Sequence, residues 1–230
     1  MRTKEQRWIE ILGWATFVVM TAALFMAFVY APTERVMGPP QRVFYMHVPS
    51  AWTAFLSFFV VAIASALYLW KRERRWDILA LSSAELGVVF TTLALITGSF
   101  WGRNVWGTWW TWDARLTSTL VLWLIYVAYL MLRAYAEEGP RQARYAAVLG
   151  IIGALDIPII HFSVLWWRTL HPQPTVVRPG GPTLDPRMTQ SLMVALLAFT
   201  LLYAFLLSHR IQLERTRDKV GGLKQALAER

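Results

Sequence analysis

At 230 residues, 56% hydrophobic and only 16% charged, the chain carries too little charge for a soluble domain of its length. Its lack of cysteine excludes disulfides, thiolate metal ligands, Cys nucleophiles and the C-x-x-C-H attachment of c-type haem. The formal charge of +9 is explained better by membrane orientation than by nucleic acid, and no nucleic-acid partner is expected.

The first apolar run covers 8–30, behind Arg2, Lys4 and Arg7. A signal peptide would have a shorter apolar region and an A-x-A-like cleavage site, so the run is read as a retained first helix. Further runs follow at 50–70, 78–98, 116–135, 145–166 and 189–209. Each has about the 20 residues that cross a bilayer as a helix. The expected fold is all-α: a polytopic integral membrane bundle of about six transmembrane helices over 1–209, followed by a basic tail at 210–230.

Most of the 23 Lys and Arg residues lie in the first segment, in 71–75, at Arg133, Arg141 and Arg144, and in the tail. Positive residues mark the cytoplasmic side, so both termini are expected in the cytoplasm. Loops 31–49, 99–115 and 167–188 then face outward. The tail is expected to be a helix broken at Gly221-Gly222, solvated and touching anionic lipid.

Glu85, Asp156 and His161 fall inside spans, away from their ends. Such residues are functional candidates by default. Here Glu85 is read as a satisfied contact between helices, and Asp156 and His161 as structural hydrogen-bonding groups. His209, at the inner end of span six, is read as interfacial polar surface.

Five of the 13 tryptophans fall within 101–112. An aromatic belt at the membrane surface accounts for Trp8, Trp14, Trp70, Trp76 and Trp123, but not for five indoles in one loop. Trp52, Trp166 and Trp167 sit at the same face. If 106–113 is helical, Trp106, Trp109, Trp110 and Asp113 share one helix face. Gly102 and Gly107 weaken a helix there, yet would let a flat ligand approach the backbone. Such a surface suits a large, planar, mostly apolar molecule. Asp113 could equally cap the next helix or pair with Arg115.

His47 precedes Pro49, which fits the first turn of span two. His171 precedes Pro172, which places it just past the end of span five. Both are thus expected at similar depth, on the side of the tryptophan loop. Neutral imidazoles are common metal ligands and paired histidines are axial ligands of haem iron, while two histidines alone make a weak zinc site. On residue chemistry alone three functions stand open. They are a haem site, a permease subunit with a tryptophan gate, and a scaffold of an ABC transporter complex with no haem site of its own.

The run Trp101-Gly-x-x-x-Trp106-Gly-Thr-Trp109-Trp110-x-Trp112-Asp113-Ala-Arg-Leu-Thr-Ser resembles the tryptophan-rich signature of the WWD haem-handling family, in its shorter branch that serves cytochrome c maturation. The segments Tyr45-Met-His47-Val-Pro and Trp166-Trp167-x-Thr-Leu-His171 match as well, and the likeness extends over the six-span layout. The resemblance implies non-covalent b-type haem at the outer face of the bacterial cytoplasmic (inner) membrane. It implies His47 and His171 as axial ligands of the iron, and a porphyrin platform of Trp101, Trp106, Trp109, Trp110, Trp112 and Asp113. The implied partners are an ABC ATPase with its membrane subunit, a small membrane subunit, and a periplasmic haem chaperone that receives the haem. ATP hydrolysis would belong to the partner, because this chain has no P-loop. The chain is expected to position haem rather than to be an enzyme. From charge and side alone, Arg103 and Arg115 are the preferred partners of the haem propionates.

Overall fold

The computed structural model describes residues 3–167, 169–172, 180–181 and 183–229. Its regular elements are helical: α1 (Lys4–Phe25), α2 (Phe44–Lys71), α3 (Arg74–Trp106), α4 (Ala114–Tyr135), α5 (Pro140–Ala154), α6 (Asp156–Trp166) and α7 (Pro186–Ala228). Six segments are long and apolar enough to cross a membrane, with α5 and α6 forming one of them.

Local chemistry sets the helix ends. Thr3 and Gln6 form a reciprocal capping box at the start of α1, satisfying backbone donors that the first turn leaves free. α1 ends in a wider turn at Met26–Tyr30, closed by the Ala31 amide donating to the Met26 carbonyl at 2.8 Å. A 3₁₀ turn, Pro39–Val43, feeds directly into α2. This turn moves the start of α2 upstream of the position suggested by Pro49. The proline lies inside the helix, and His47 is in the first turn rather than before it.

α3 has 33 residues and is about 50 Å long, well beyond a hydrocarbon core of about 30 Å. Its last turns carry Trp101 and Trp106. Span five breaks at Leu155, where α5 stops and α6 starts. The cause is Pro158, which has no amide proton for the preceding turn.

The core lies between α2, α3, α4 and the α5–α6 pair. Phe58 stacks on Tyr126 with ring centroids 3.7 Å apart, and the Tyr126 hydroxyl donates to the Gly150 carbonyl at 2.8 Å. A Cβ on Gly87 would stand 2.3 Å from the Phe58 ring. Small residues let membrane helices approach this closely.

Ion pairs gather at the end where both termini emerge. Buried Asp77 takes a two-pronged contact from Arg133, at 2.7 and 3.0 Å, and a further bond from Arg74. Arg210 of α7 pairs with Glu85, so Glu85 is the interhelical contact expected of it. The tail departs from expectation. α7 runs unbroken through Gly221 and Gly222 to Ala228, and its near part is bonded to the bundle rather than merely solvated. Asp218 accepts from Arg74 at 2.9 Å, Arg215 reaches Glu5 at 3.1 Å and Arg217 reaches Glu138 at 3.2 Å. These anchors hold the helix in register up to the two glycines, whose helix penalty of about 1 kcal/mol each is then tolerated. Asp156 and His161 differ as well. No hydrogen bond joins them, and Asp156 Oδ2 is buried without a partner among the described residues. Both lie on α6, where a five-residue spacing sets the two side chains on different faces.

Candidate functional site

At the opposite end from the termini, α2, α3, α4 and α6 part around a cavity of about 870 Å³ of empty space, its open mouth included. Its wall is formed by helix side chains, by the connection between α3 and α4, and by Leu170 and His171 beyond α6.

His47 enters from α2. Its Nδ1 lies 3.0 Å from the Ala94 carbonyl and 3.2 Å from Thr97 Oγ1, both on α3. A carbonyl can only accept, so the proton sits on Nδ1 and Nε2 keeps its lone pair. Gly98 faces the same ring, and a Cβ there would stand 2.8 Å from His47 Cε1. Trp101, only 5% exposed, packs behind the imidazole with centroids 5.9 Å apart and touches Trp106 at 6.0 Å.

His171 lines the same cavity from irregular chain beyond α6. Its Nδ1 donates to the Pro172 carbonyl at 3.0 Å, which again leaves Nε2 free. Burial, then the positive charge of Arg115, push this imidazole down to about 3. The ring is therefore neutral at pH 7, the state that binds a metal. A backbone or carboxylate partner on Nδ1 is the usual arrangement of a metal-binding histidine.

The tryptophan segment is not a helix. α3 stops at Trp106 because Gly107 takes the left-handed conformation, φ 75°, where other residues are strained. Residues 107–113 then run as irregular chain until Asp113 caps α4. The helical face expected for Trp106, Trp109, Trp110 and Asp113 therefore does not exist. The folded-back loop nonetheless brings Trp106, Trp109 and Trp110 to the cavity wall with Trp101. Trp112 does not line it. It is 77% exposed and meets Trp110 edge-on at 5.7 Å.

The two arginines separate in the same way. Arg115 lines the cavity. Arg103 is exposed outside it, and its guanidinium donates to the Gly107 carbonyl. The Asp113 carboxylate borders the cavity, but its hydrogen bonds run to protein. Oδ1 accepts from the Leu116 amide at 3.0 Å, and Oδ2 accepts from Thr111 Oγ1 at 3.1 Å and Thr169 Oγ1 at 3.0 Å. Of the two roles weighed for it, the cap is present. Thr97 and Gly98 do not stand out in the sequence, and Thr169 does so only as one position of the segment 166–171. A threonine or a glycine carries no mark of the residue it touches.

The donor set fits a metal that brings its own equatorial ligands. Among the described residues no group of three or more His, Cys, Asp and Glu could hold a metal ion, so two imidazoles would act alone. Among the same residues, the indole N–H groups of Trp101 and Trp110 are buried with no acceptor, although such donors are normally paired. An apolar cavity lined by two imidazoles, four indoles and one arginine has the donor set that a flat metallo-macrocycle with acidic substituents would need. Fold and site together define a polytopic helical membrane protein with an apolar cavity that two imidazoles line.

Comparison with known sequences narrows the class. The family described as Heme exporter protein C matches residues 1–225, and the chain belongs to that family. Heme exporter protein C of Bradyrhizobium diazoefficiens is 40% identical over 96% of this chain and 85% of its own length. The Escherichia coli K12 protein of the same name is 37% identical over 90% of this chain and 86% of its own. A mitochondrial protein of Marchantia polymorpha, named for cytochrome c biosynthesis, is 36% identical over 79% of this chain and 77% of its own.

Proposed function

We propose that the chain holds b-type haem, as cargo, in the cavity between His47 and His171 at the outer face of the cytoplasmic membrane. The haem is then presented to a periplasmic haem chaperone for cytochrome c biogenesis. The observation that carries this reading is the pair of imidazoles that line one apolar cavity, each with Nδ1 committed to a backbone carbonyl and Nε2 free.

In this reading Trp101, Trp106, Trp109 and Trp110 cover the porphyrin, each Å² of apolar surface removed from water contributing about 25 cal/mol. Arg115 meets the propionates. Trp112 and Arg103 lie outside the cavity and do not touch the haem. An open mouth suits release to a carrier, and the chain contributes binding and orientation rather than acid–base chemistry. An ABC ATPase, its membrane subunit and a small membrane subunit are the expected companions, with the excess of Lys and Arg placing the termini on the cytoplasmic side.

The test is an absorption spectrum of the chain purified in detergent from haem-replete cells, beside His47→Ala and His171→Ala. A Soret band that shifts or weakens in each variant supports the assignment. A chain that neither retains nor takes up haem contradicts it.

A further inference from the structure

The geometry points to a clasp: we propose that Asp113 and Thr169 are positioning residues that fix where His171 stands, and that Asp113 serves the haem site through this clasp rather than by touching haem. The proposal rests on the haem-holding reading above.

After α6 ends, the chain carrying His171 has no regular structure to place it. Its link to the bundle is a relay of three groups. The His171 amide donates to Thr169 Oγ1 at 3.0 Å. That hydroxyl donates its own proton to Asp113 Oδ2, also at 3.0 Å. Asp113 Oδ1 is held by the first turn of α4 through the Leu116 amide, and Thr111 brings the tryptophan loop to the same carboxylate. One side chain thus joins α4, the tryptophan loop and the His171 segment.

The choice of residue follows from this arrangement. Capping α4 needs only one acceptor oxygen, and Ser, Thr, Asn or Asp would each supply it. The second task is more selective. Two hydroxyls converge on Oδ2, and the one on Thr169 already accepts from His171, so it must donate onward. An ionised carboxylate accepts at both oxygens and has no proton of its own. Asparagine would present an amide donor to one of the two sites, and serine would leave the second without an oxygen. Aspartate alone does both, and its charge strengthens the bonds.

The test uses the full chain in detergent with Thr169→Val, Thr169→Ser, Asp113→Asn and Asp113→Ser. In the haem-free chain, hydrogen exchange over 169–172 is read by mass spectrometry. Asp113→Asn leaves Thr169 in place, so faster exchange there isolates the clasp. An acceleration of roughly tenfold or more corresponds to loss of one charge-assisted bond. Asp113→Ser keeps the cap of α4 and accelerates 169–172 equally, while Thr169→Ser stays at the wild-type rate. In the haem-loaded chain, Thr169→Val loses the low-spin signature of two axial imidazoles and Thr169→Ser recovers it. Wild-type exchange in Asp113→Asn, or wild-type ligation in Thr169→Val, overturns the clasp. If the spectrum responds to neither His47→Ala nor His171→Ala, the haem reading fails instead, and the exchange rates still decide the clasp.

Discussion

A methyl group on Gly98 would stand 2.8 Å from Cε1 of His47. The ring cannot simply turn aside, because its Nδ1 is tied to the Ala94 carbonyl four residues earlier on the same helix. α3 therefore both binds the imidazole and makes the space for it. Gly98→Ala is expected to push His47 off its carbonyl at a cost of about 1–3 kcal/mol, typical of overpacking. The measurement is haem transfer to apomyoglobin, expected to be roughly tenfold faster than wild type by the same energy. Unchanged transfer would show that the His47 ring has slack.

Arg115 and Arg103 provide an internal control for each other. Arg115 lines the cavity, whereas Arg103 closes the end of α3 from outside. Arg115→Gln should weaken haem retention by roughly tenfold, the scale of one charge-assisted hydrogen bond. Arg103→Gln should leave retention within about twofold, since a rim contact to a backbone oxygen contributes only about 1 kcal/mol to folding. Equal losses in both variants would mean that the propionates lie outside the cavity.

The pH response of His171 has a definite sign. Burial and Arg115 depress its proton affinity from 6.5 to about 3, so the unfolded chain binds a proton in that window that the folded chain does not. The stability linked to the neutral ring is present above pH 6.5 and is lost as pH falls towards 3. In the haem-free chain, NMR of the labelled imidazole should show a midpoint well below 5. Arg115→Gln should raise that midpoint, because a positive neighbour is removed. A midpoint near 6.5 would mean that His171 is solvated rather than held in the cavity.

The spans were legible because length and hydropathy are properties of the chain itself. So was the placing of His47 and His171 at one end of the bundle, since a proline follows each within two residues near the end of a span. The cavity wall was legible only in part. Trp106, Trp109 and Trp110 do converge, but by a fold-back at Gly107 and not along a helix, because a glycine that interrupts a periodic pattern can end the helix outright. The same residue type at 221 and 222 leaves α7 intact, since ion pairs to Glu5, Arg74 and Glu138 hold the helix just before it. Gly98 gave no signal and Thr169 appeared only as one position of a matched segment, because what matters in each is the group it faces across the bundle.

At the far end of the bundle, Asp77 is almost fully buried beside Arg133. Asp77→Asn would leave that arginine without its charge partner, and breaking such a buried pair costs about 3–5 kcal/mol. Thermal unfolding in detergent should fall by several degrees or more, while the haem spectrum of the folded fraction is unchanged. A wild-type melting point would show that the pair is solvated.

The central claim is that His47 and His171 are both axial ligands of one haem iron. Low-temperature electron paramagnetic resonance of the ferric, haem-loaded chain tests it most directly, with His47→Ala and His171→Ala measured before and after adding imidazole. The account predicts a low-spin signal of two imidazoles in the wild type, its loss in each variant, and its return when imidazole fills the vacated space. A low-spin signal that survives in either variant without added imidazole would contradict it.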